Sequence, residues 1–400
     1  MLIVKSLRVQ QREEWNRFVQ RHPLTSPLQL WEWGEVKQSS LWQVYHWGVF
    51  QRQKLIALAL LFKRRLKGGW QLLYSPHGPL LPFRNQVLAA RSLDILLTRI
   101  KKEFGGGRTL FCRLEPRATK KDFPWWGQNA GEEIFPLRPY FKSIQPRYTT
   151  VLDLRPPLKQ ILQRMDKDTR YSIRRAAREG VEVVKTTKGR PEKYWPLFYD
   201  LYLHVSRKGF SPRPWSQFRR LQQLMAPRGG AEVFLAFRPP NPLQRQADLP
   251  QARVSRLPPG AEVIAAAIIL RSGKYAAYLW GGSRLTSENK KFFAPYLLQW
   301  EIIRFLKQEG VADYDLWGIS PSDDPRHSWY GHSLFKKGFG GVRQEWIGSW
   351  DLPLSPFYRP FSFIDWLRQR VLQPDLITRP LFARPRSVIR EGGQLVADKS

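Results

Sequence analysis

Apolar residues recur along this chain with two spacings. The helical one is clearest at Tyr194, Leu197, Phe198, Leu201, Tyr202 and Val205, an i, i+3, i+4, i+7, i+8, i+11 stripe that predicts an amphipathic helix packed on a core. Leu88, Leu93, Leu96, Leu97 and Ile100 predict a helix over residues 87–104, stopped by Gly105-Gly106-Gly107. Leu158, Ile161, Leu162 and Met165 form a third stripe; Ala294, Leu298, Ile302 and Phe305 predict a helix over 294–308, with Gly310 after it. Shorter helices are expected at 11–19 and 30–37, the latter with Trp31 and Trp33 on different faces. Short apolar runs bounded by turn residues predict strands at 44–50, 55–62, 70–74, 109–114, 181–184, 231–237, 262–270, 274–280 and 314–319.

Helices, a β-meander, a helix and a further strand thus occur twice, which argues an α/β (α+β) chain of two layered domains. The length of 400 residues fits that number at about 100–200 residues per domain. The second unit is expected to start near Val151, and the Pro-rich stretch 238–260 reads as an exposed insertion. Residues 361–372 are amphipathic, with Trp366 and Leu367 set against Arg368 and Arg370; they could pack on the first domain or lie on a membrane surface.

Composition removes several chemistries. The single cysteine, Cys112, lies in an apolar run, and the six histidines form no HExxH pair, so neither a disulfide framework nor a metal or other cofactor is expected. Charge adds a partner class: 66 Lys and Arg against 33 Asp and Glu leave a net +33, which suits nucleic acid or an anionic membrane. No apolar stretch approaches the roughly 18 residues of a spanning helix, and Met1-Leu2-Ile3-Val4-Lys5 is too short for a signal peptide. A cytoplasmic protein, with the inner membrane face as an optional partner, is the resulting expectation.

Two segments concentrate candidate chemistry. Leu334-Phe335-Lys336-Lys337-Gly338-Phe339-Gly340-Gly341 combines cations that suit a phosphate or an oxyanion with glycines that admit close backbone approach, yet it also reads as a basic turn between strands. A helix at 169–179 places Arg170, Arg174 and Arg178 four apart on one face, either solvated or anion-binding.

Several motifs in order resemble the FemABX family of tRNA-dependent aminoacyltransferases, which extend the stem peptide of peptidoglycan precursors. Trp31-Glu32-Trp33-Gly34-Glu35-Val36-Lys37 is similar to its W-x-W-G-x-x-K box, and Tyr74-Ser75-Pro76-His77-Gly78-Pro79 to its Y-x-P-R-G-P turn, with His77 where arginine is usual. Arg113-Leu114-Glu115-Pro116, Arg170-Tyr171-Ser172-Ile173-Arg174, Tyr278-Leu279-Trp280-Gly281-Gly282-Ser283, Leu298-Gln299-Trp300-Glu301, Tyr314-Asp315-Leu316-Trp317-Gly318-Ile319 and the stretch from Phe335 to Gly340 continue the series from about residue 26 to 351.

The resemblance implies two GNAT-like domains: residues 1–150 with 342–400 returning to complete the first, and 151–341 as the second. It implies aminoacyl-tRNA as donor and lipid II or a UDP-linked muropeptide as acceptor, with no cofactor. Lys336 would stabilise the tRNA terminus or tetrahedral intermediate, with Phe335 shaping the pocket. Lys37 and Arg213 would meet the precursor's diphosphate, with Trp33, Tyr278, Gly338 and Gly340 as further substrate contacts. Arg170, Arg174, Arg178 and Lys337 would serve the tRNA. Glu115 would act as general base, orient the acceptor amine, or form an ion pair with an arginine. An acyl-CoA-dependent N-acyltransferase of the same fold and a non-catalytic RNA- or membrane-binding relative are the competing readings; the former wants a better pyrophosphate loop than Gly281-Gly282-Ser283-Arg284.

Overall fold

A computed structural model describes residues 1–39, 41–127, 137–186, 194–207, 211–241, 253–254, 256–372, 390–391 and 394–395. The strands in chain order are β1 (Leu2–Ser6), β2 (Trp42–Gln51), β3 (Lys54–Arg65), β4 (Gln71–His77), β5 (Thr109–Pro116), β6 (Arg138–Pro139), β7 (Tyr148–Asp153), β8 (Glu182–Lys185), β9 (Ala231–Arg238), β10 (Arg253–Val254), β11 (Glu262–Ser272), β12 (Tyr275–Ser283), β13 (Asp313–Gly318), β14 (Val342–Glu345) and β15 (Trp350–Pro353). The helices are α1 (Arg12–Arg21), α2 (Trp31–Lys37), α3 (Gln86–Phe104), α4 (Leu158–Gln163), α5 (Lys167–Arg178), α6 (Tyr194–Ser206), α7 (Trp215–Leu224), α8 (Ala294–Gln308), α9 (Tyr330–Lys337) and α10 (Tyr358–Leu372). None of the described helices is long and apolar enough to cross a membrane.

The chain forms two compact units, Met1–Arg147 with Glu345–Ser400, and Tyr148–Gln344. The first holds a seven-stranded sheet ordered β1-β2-β3-β4-β5-β15-β6. Strands β1 to β4 form an antiparallel meander, and α3 is the crossover that makes β5 parallel to β4. The stripe Leu93, Leu96, Leu97 and Ile100 is fully buried against Ala57, Ala59, Leu61 and Leu73. Strand β15 returns antiparallel to β5 with Asp351 opposite Arg113, and a bidentate ion pair of 2.7 and 2.8 Å joins their side chains.

The second unit holds an eight-stranded sheet ordered β10-β8-β9-β11-β12-β13-β7-β14. Here β9, β11 and β12 form the meander and α8 the crossover to the parallel β13. Ile161 and Leu162 of α4, Ile173 and Ala176 of α5 and Leu298, Ile302 and Phe305 of α8 fill its core.

Several expectations are corrected. Residues 334–341 are no turn between strands: Leu334 to Lys337 form the last turn of α9, whose one buried residue is Ser333, so it carries no apolar stripe to announce it. Helix α7 escaped notice for a similar reason, burying only Phe218 and Leu221. Trp31 and Trp33 are both buried. Most of the stretch 238–260 lies outside the described residues, although Arg253 and Val254 pair with β8.

Candidate functional site

In the second unit, the parallel pair β12 and β13 begins in register, Tyr275 opposite Asp313, Ala276 opposite Tyr314 and Ala277 opposite Asp315. There the pairing ends. Strand β12 follows β11 up to Ser283 opposite Ala265, while β13 follows β7, with an irregularity between Asp315 and Gly318. The two strands therefore part at their C-terminal ends, the position where α/β sheets bind ligands.

The backbone of β13 is held open by specific bonds. Trp317 adopts φ +68°, a left-handed conformation that a bulky residue avoids. The buried Asp315 carboxylate compensates: Oδ1 accepts from the Trp317 amide at 2.7 Å and Oδ2 from the Tyr275 hydroxyl at 2.9 Å. Sequence reasoning quoted Asp315 and Trp317 as part of a motif but gave them no role; the signal available was an aspartate inside an apolar strand.

Lys336 reaches this end of β13 from the last turn of α9, and its Nζ donates to the Gly318 carbonyl at 2.6 Å. Burial of the ammonium lowers its pKa from 10.5 to about 8, against the opposing pull of Asp315. At neutral pH it stays charged, poorly hydrated and fixed in place, which suits it to a developing negative charge. Phe335, one residue earlier on α9, lies edge-on to Tyr296 and Phe339, with ring centroids at 5.0 and 5.3 Å, and packs against the core of the second unit. Tyr278, on the other parting strand, is half-buried; burial lifts its hydroxyl to about 12, tempered by a hydrogen bond with the Gln299 side chain.

Other residues expected here have structural duties. A Cβ on Gly340, at φ +76°, would lie 2.3 Å from the Arg164 carbonyl, and one on Gly338 would lie 2.4 Å from Thr169 Oγ1. Both glycines are therefore explained by close packing on α4 and α5, not by substrate approach. Lys337 is ion-paired with Asp323. Arg170 donates to the Gln163 carbonyl at 3.2 Å and to the Met165 carbonyl, capping the end of α4. The proposed three-arginine face is thus reduced to the exposed Arg174 and Arg178. Arg213 is exposed, and its backbone is bonded by Tyr202 and Tyr199.

In the first unit, α2 is largely a packing device. Gly34 lets it lie on β2, where a Cβ would meet Val44 and His46 at 3.0 Å, and Trp31 stacks on His46 at 3.6 Å. At its end the Lys37 ammonium sits 5.2 Å from the ring centre of the buried Trp33, a cation–π contact that fixes its direction.

Glu115 is corrected from a base to a structural acceptor. Tyr74 donates to it at 2.5 Å, the Ile144 and Gln145 amides at 2.6 and 3.1 Å, and the Ser349 hydroxyl also. Burial raises its pKa, and these four donors work against the rise. With its acceptor sites occupied it has no lone pair directed at an amine. Nor does the neighbouring arginine pair with it: Arg113 turns to Asp351. His77, which stands where the resemblance calls for arginine, is buried; burial and then Arg117 hold its pKa well down, and Ser26 Oγ lies 2.8 Å from its Nδ1.

The sequence profile of the FemAB family matches residues 11–133, 136–236 and 252–365. A lipid II:glycine glycyltransferase of Staphylococcus saprophyticus is 23% identical over 393 residues, covering 86% of this chain and 92% of that protein. One of Staphylococcus aureus is 22% identical over 399 residues, covering 87% and 93%. A crystal structure of FemX shares the fold with a TM-score of 0.71 at 18% identity, over 90% of this chain and 99% of that one. Matched by the profile over most of its length, this chain belongs to the FemAB family.

Proposed function

We propose that this protein is an aminoacyltransferase that moves an amino acid from aminoacyl-tRNA to an amine on the stem peptide of a peptidoglycan precursor, building interpeptide-bridge residues. The relatives named lipid II:glycine glycyltransferase support the acceptor class. The observation that carries the chemistry is Lys336: a desolvated, still-cationic amine held at the parting of β12 and β13.

An aminoacyl ester is already activated, so a neutral amine attacks its carbonyl carbon directly. The new C–N bond forms, the C–O bond to the ribose breaks, and the proton lost by the amine ends on the ribose hydroxyl. Lys336 stabilises the intermediate oxyanion and the departing oxygen. Positioning supplies much of the remainder, with effective molarities of roughly 10⁵–10⁸ M for well-oriented groups. Lys37, oriented by Trp33, is assigned to the precursor's diphosphate; Arg174 and Arg178 are assigned to tRNA phosphates.

The test offers the purified protein a pool of charged tRNAs and a lipid-linked muropeptide, then reads product mass. A gain of one aminoacyl residue is expected. No gain with any charged tRNA, on either a lipid-linked or a UDP-linked acceptor, overturns the reading.

A further inference from the structure

Helix α10 is amphipathic in the opposite sense from a helix that packs by its apolar face. Its inward residues are Tyr358, the adjacent Phe361 and Ser362, Asp365 and Gln369, which recur every three or four positions. Tyr358 donates to Asp351 at 3.1 Å, Lys142 to Gln369 at 2.8 Å, and Tyr140 to Asp365. The opposite face carries Phe363, Ile364, Leu367 and Val371, which are 47%, 65%, 51% and 76% exposed. At 100° per residue these four share one stripe, with Arg359 and Arg370 along one edge and Arg368 along the other, all exposed. Trp366 lies at that first edge, stacked 6.2 Å from Phe363 with the Arg370 guanidinium 5.2 Å from its ring.

The same surface continues onto the hairpin between β3 and β4. Phe357, 56% exposed, contacts Trp70 with ring centroids 5.1 Å apart. Leu66 and Trp70 join Tyr358 and Phe361 around one small apolar cluster. That hairpin also carries the exposed Arg64, Arg65 and Lys67.

We infer that α10 and the β3–β4 hairpin form a membrane-docking surface, which lays the Phe363, Ile364, Leu367 and Val371 stripe into an anionic lipid leaflet. Charge selects this occupant. The stripe is edged by arginines on both sides, the one acidic side chain of α10, Asp365, faces inward to Tyr140, and the chain carries a net +33. A second copy would set cations against cations. An anionic leaflet instead accepts the apolar side chains among its acyl chains while arginines extend to its phosphates.

The test uses the full chain without substrate, so its outcome is separate from that of aminoacyl transfer. Cys112 is buried, so a thiol introduced by Leu367→Cys takes a polarity-sensitive dye selectively. Adding phosphatidylglycerol-containing vesicles is expected to shift the dye's emission to the blue and protect it from aqueous quencher; phosphatidylcholine alone or high salt should reverse most of the effect. In vesicle flotation, Ile364→Glu/Leu367→Glu is expected to lower partitioning roughly tenfold or more with unchanged thermal unfolding, because both positions are exposed. The inference fails if wild type stays off anionic vesicles or if the double variant binds as well. It also fails if the dye is already shielded without vesicles, which would show that another part of the chain or a second copy covers the stripe.

Discussion

The Lys336 ammonium and the Gly318 carbonyl are joined by a 2.6 Å hydrogen bond, one residue beyond the left-handed turn of the backbone at Trp317. This contact distinguishes Lys336 from its neighbour, since Lys337 points to the exposed Asp323. Lys336→Met is therefore expected to lower kcat by roughly 10²–10³. Lys337→Ala should cost little, as its ion-pair partner Asp323 is exposed. A transfer assay with equal, mild losses for both variants would remove Lys336 from the reaction centre.

The displaced pKa of Lys336 sets a pH dependence. Its charge is present below pH 8 and lost above it, so transfer should decline as pH rises through about 8, even as more of the acceptor amine becomes neutral. A guanidinium stays protonated there, so Lys336→Arg, though slower overall, should lack that alkaline decline. Superimposable alkaline limbs in the two kcat profiles would mean that another group titrates.

Stability carries the same signature. The unfolded lysine binds a proton up to about pH 10.5 and the folded one only to about 8, so the folded state gains stability with pH across that window and holds the charge at a cost below it. Lys336→Met relieves that cost but orphans the Gly318 carbonyl, so the two effects oppose each other at pH 7. Calorimetry should show a melting temperature close to that of wild type in the inactive variant.

Arg113 and Asp351, 238 residues apart, tie the returning strand into the first sheet. Both are buried, so removing one partner strands the other. Asp351→Asn should cost about 3–5 kcal/mol, whereas Arg113→Met/Asp351→Leu should recover at least half of that loss. Urea unfolding of the two variants decides it: a double variant no more stable than Asp351→Asn would show that the pair is not coupled.

Glu115→Gln separates structure from catalysis. The amide cannot accept from all four donors that now surround the carboxylate, so a loss of about 1–3 kcal/mol is expected. The kcat of the folded fraction should stay within about twofold, far from the roughly 10²–10⁴ effect of losing a general base. A selective collapse of kcat with unchanged melting would restore Glu115 to the mechanism.

Local periodicity determined much of this protein. The helices α3, α6 and α8 were legible because a stripe at i, i+3 and i+4 depends only on neighbours along the chain and on the presence of some core. The alternation of those stripes with short apolar runs was enough for the two-unit α/β organisation, and the ordered motifs for the family. Residues whose meaning depends on distant partners were not legible. Only the family resemblance, and no local pattern, set Lys336 apart from Lys337; one helical step turns the first to Gly318 and the second to Asp323. Gly340 looked like a place for ligand approach until the Arg164 carbonyl filled the space above it. Helix α10 was foreseeable as amphipathic, but which face turns inward was decided by Tyr140 and Lys142, more than 200 residues earlier, whose bonds to Asp365 and Gln369 outweigh the apolar stripe left outside. Side-chain pattern sets what each element can bury; only the assembled partners decide what it does bury, because hydrogen-bonding and ionic demands are satisfied across the fold and not along the chain.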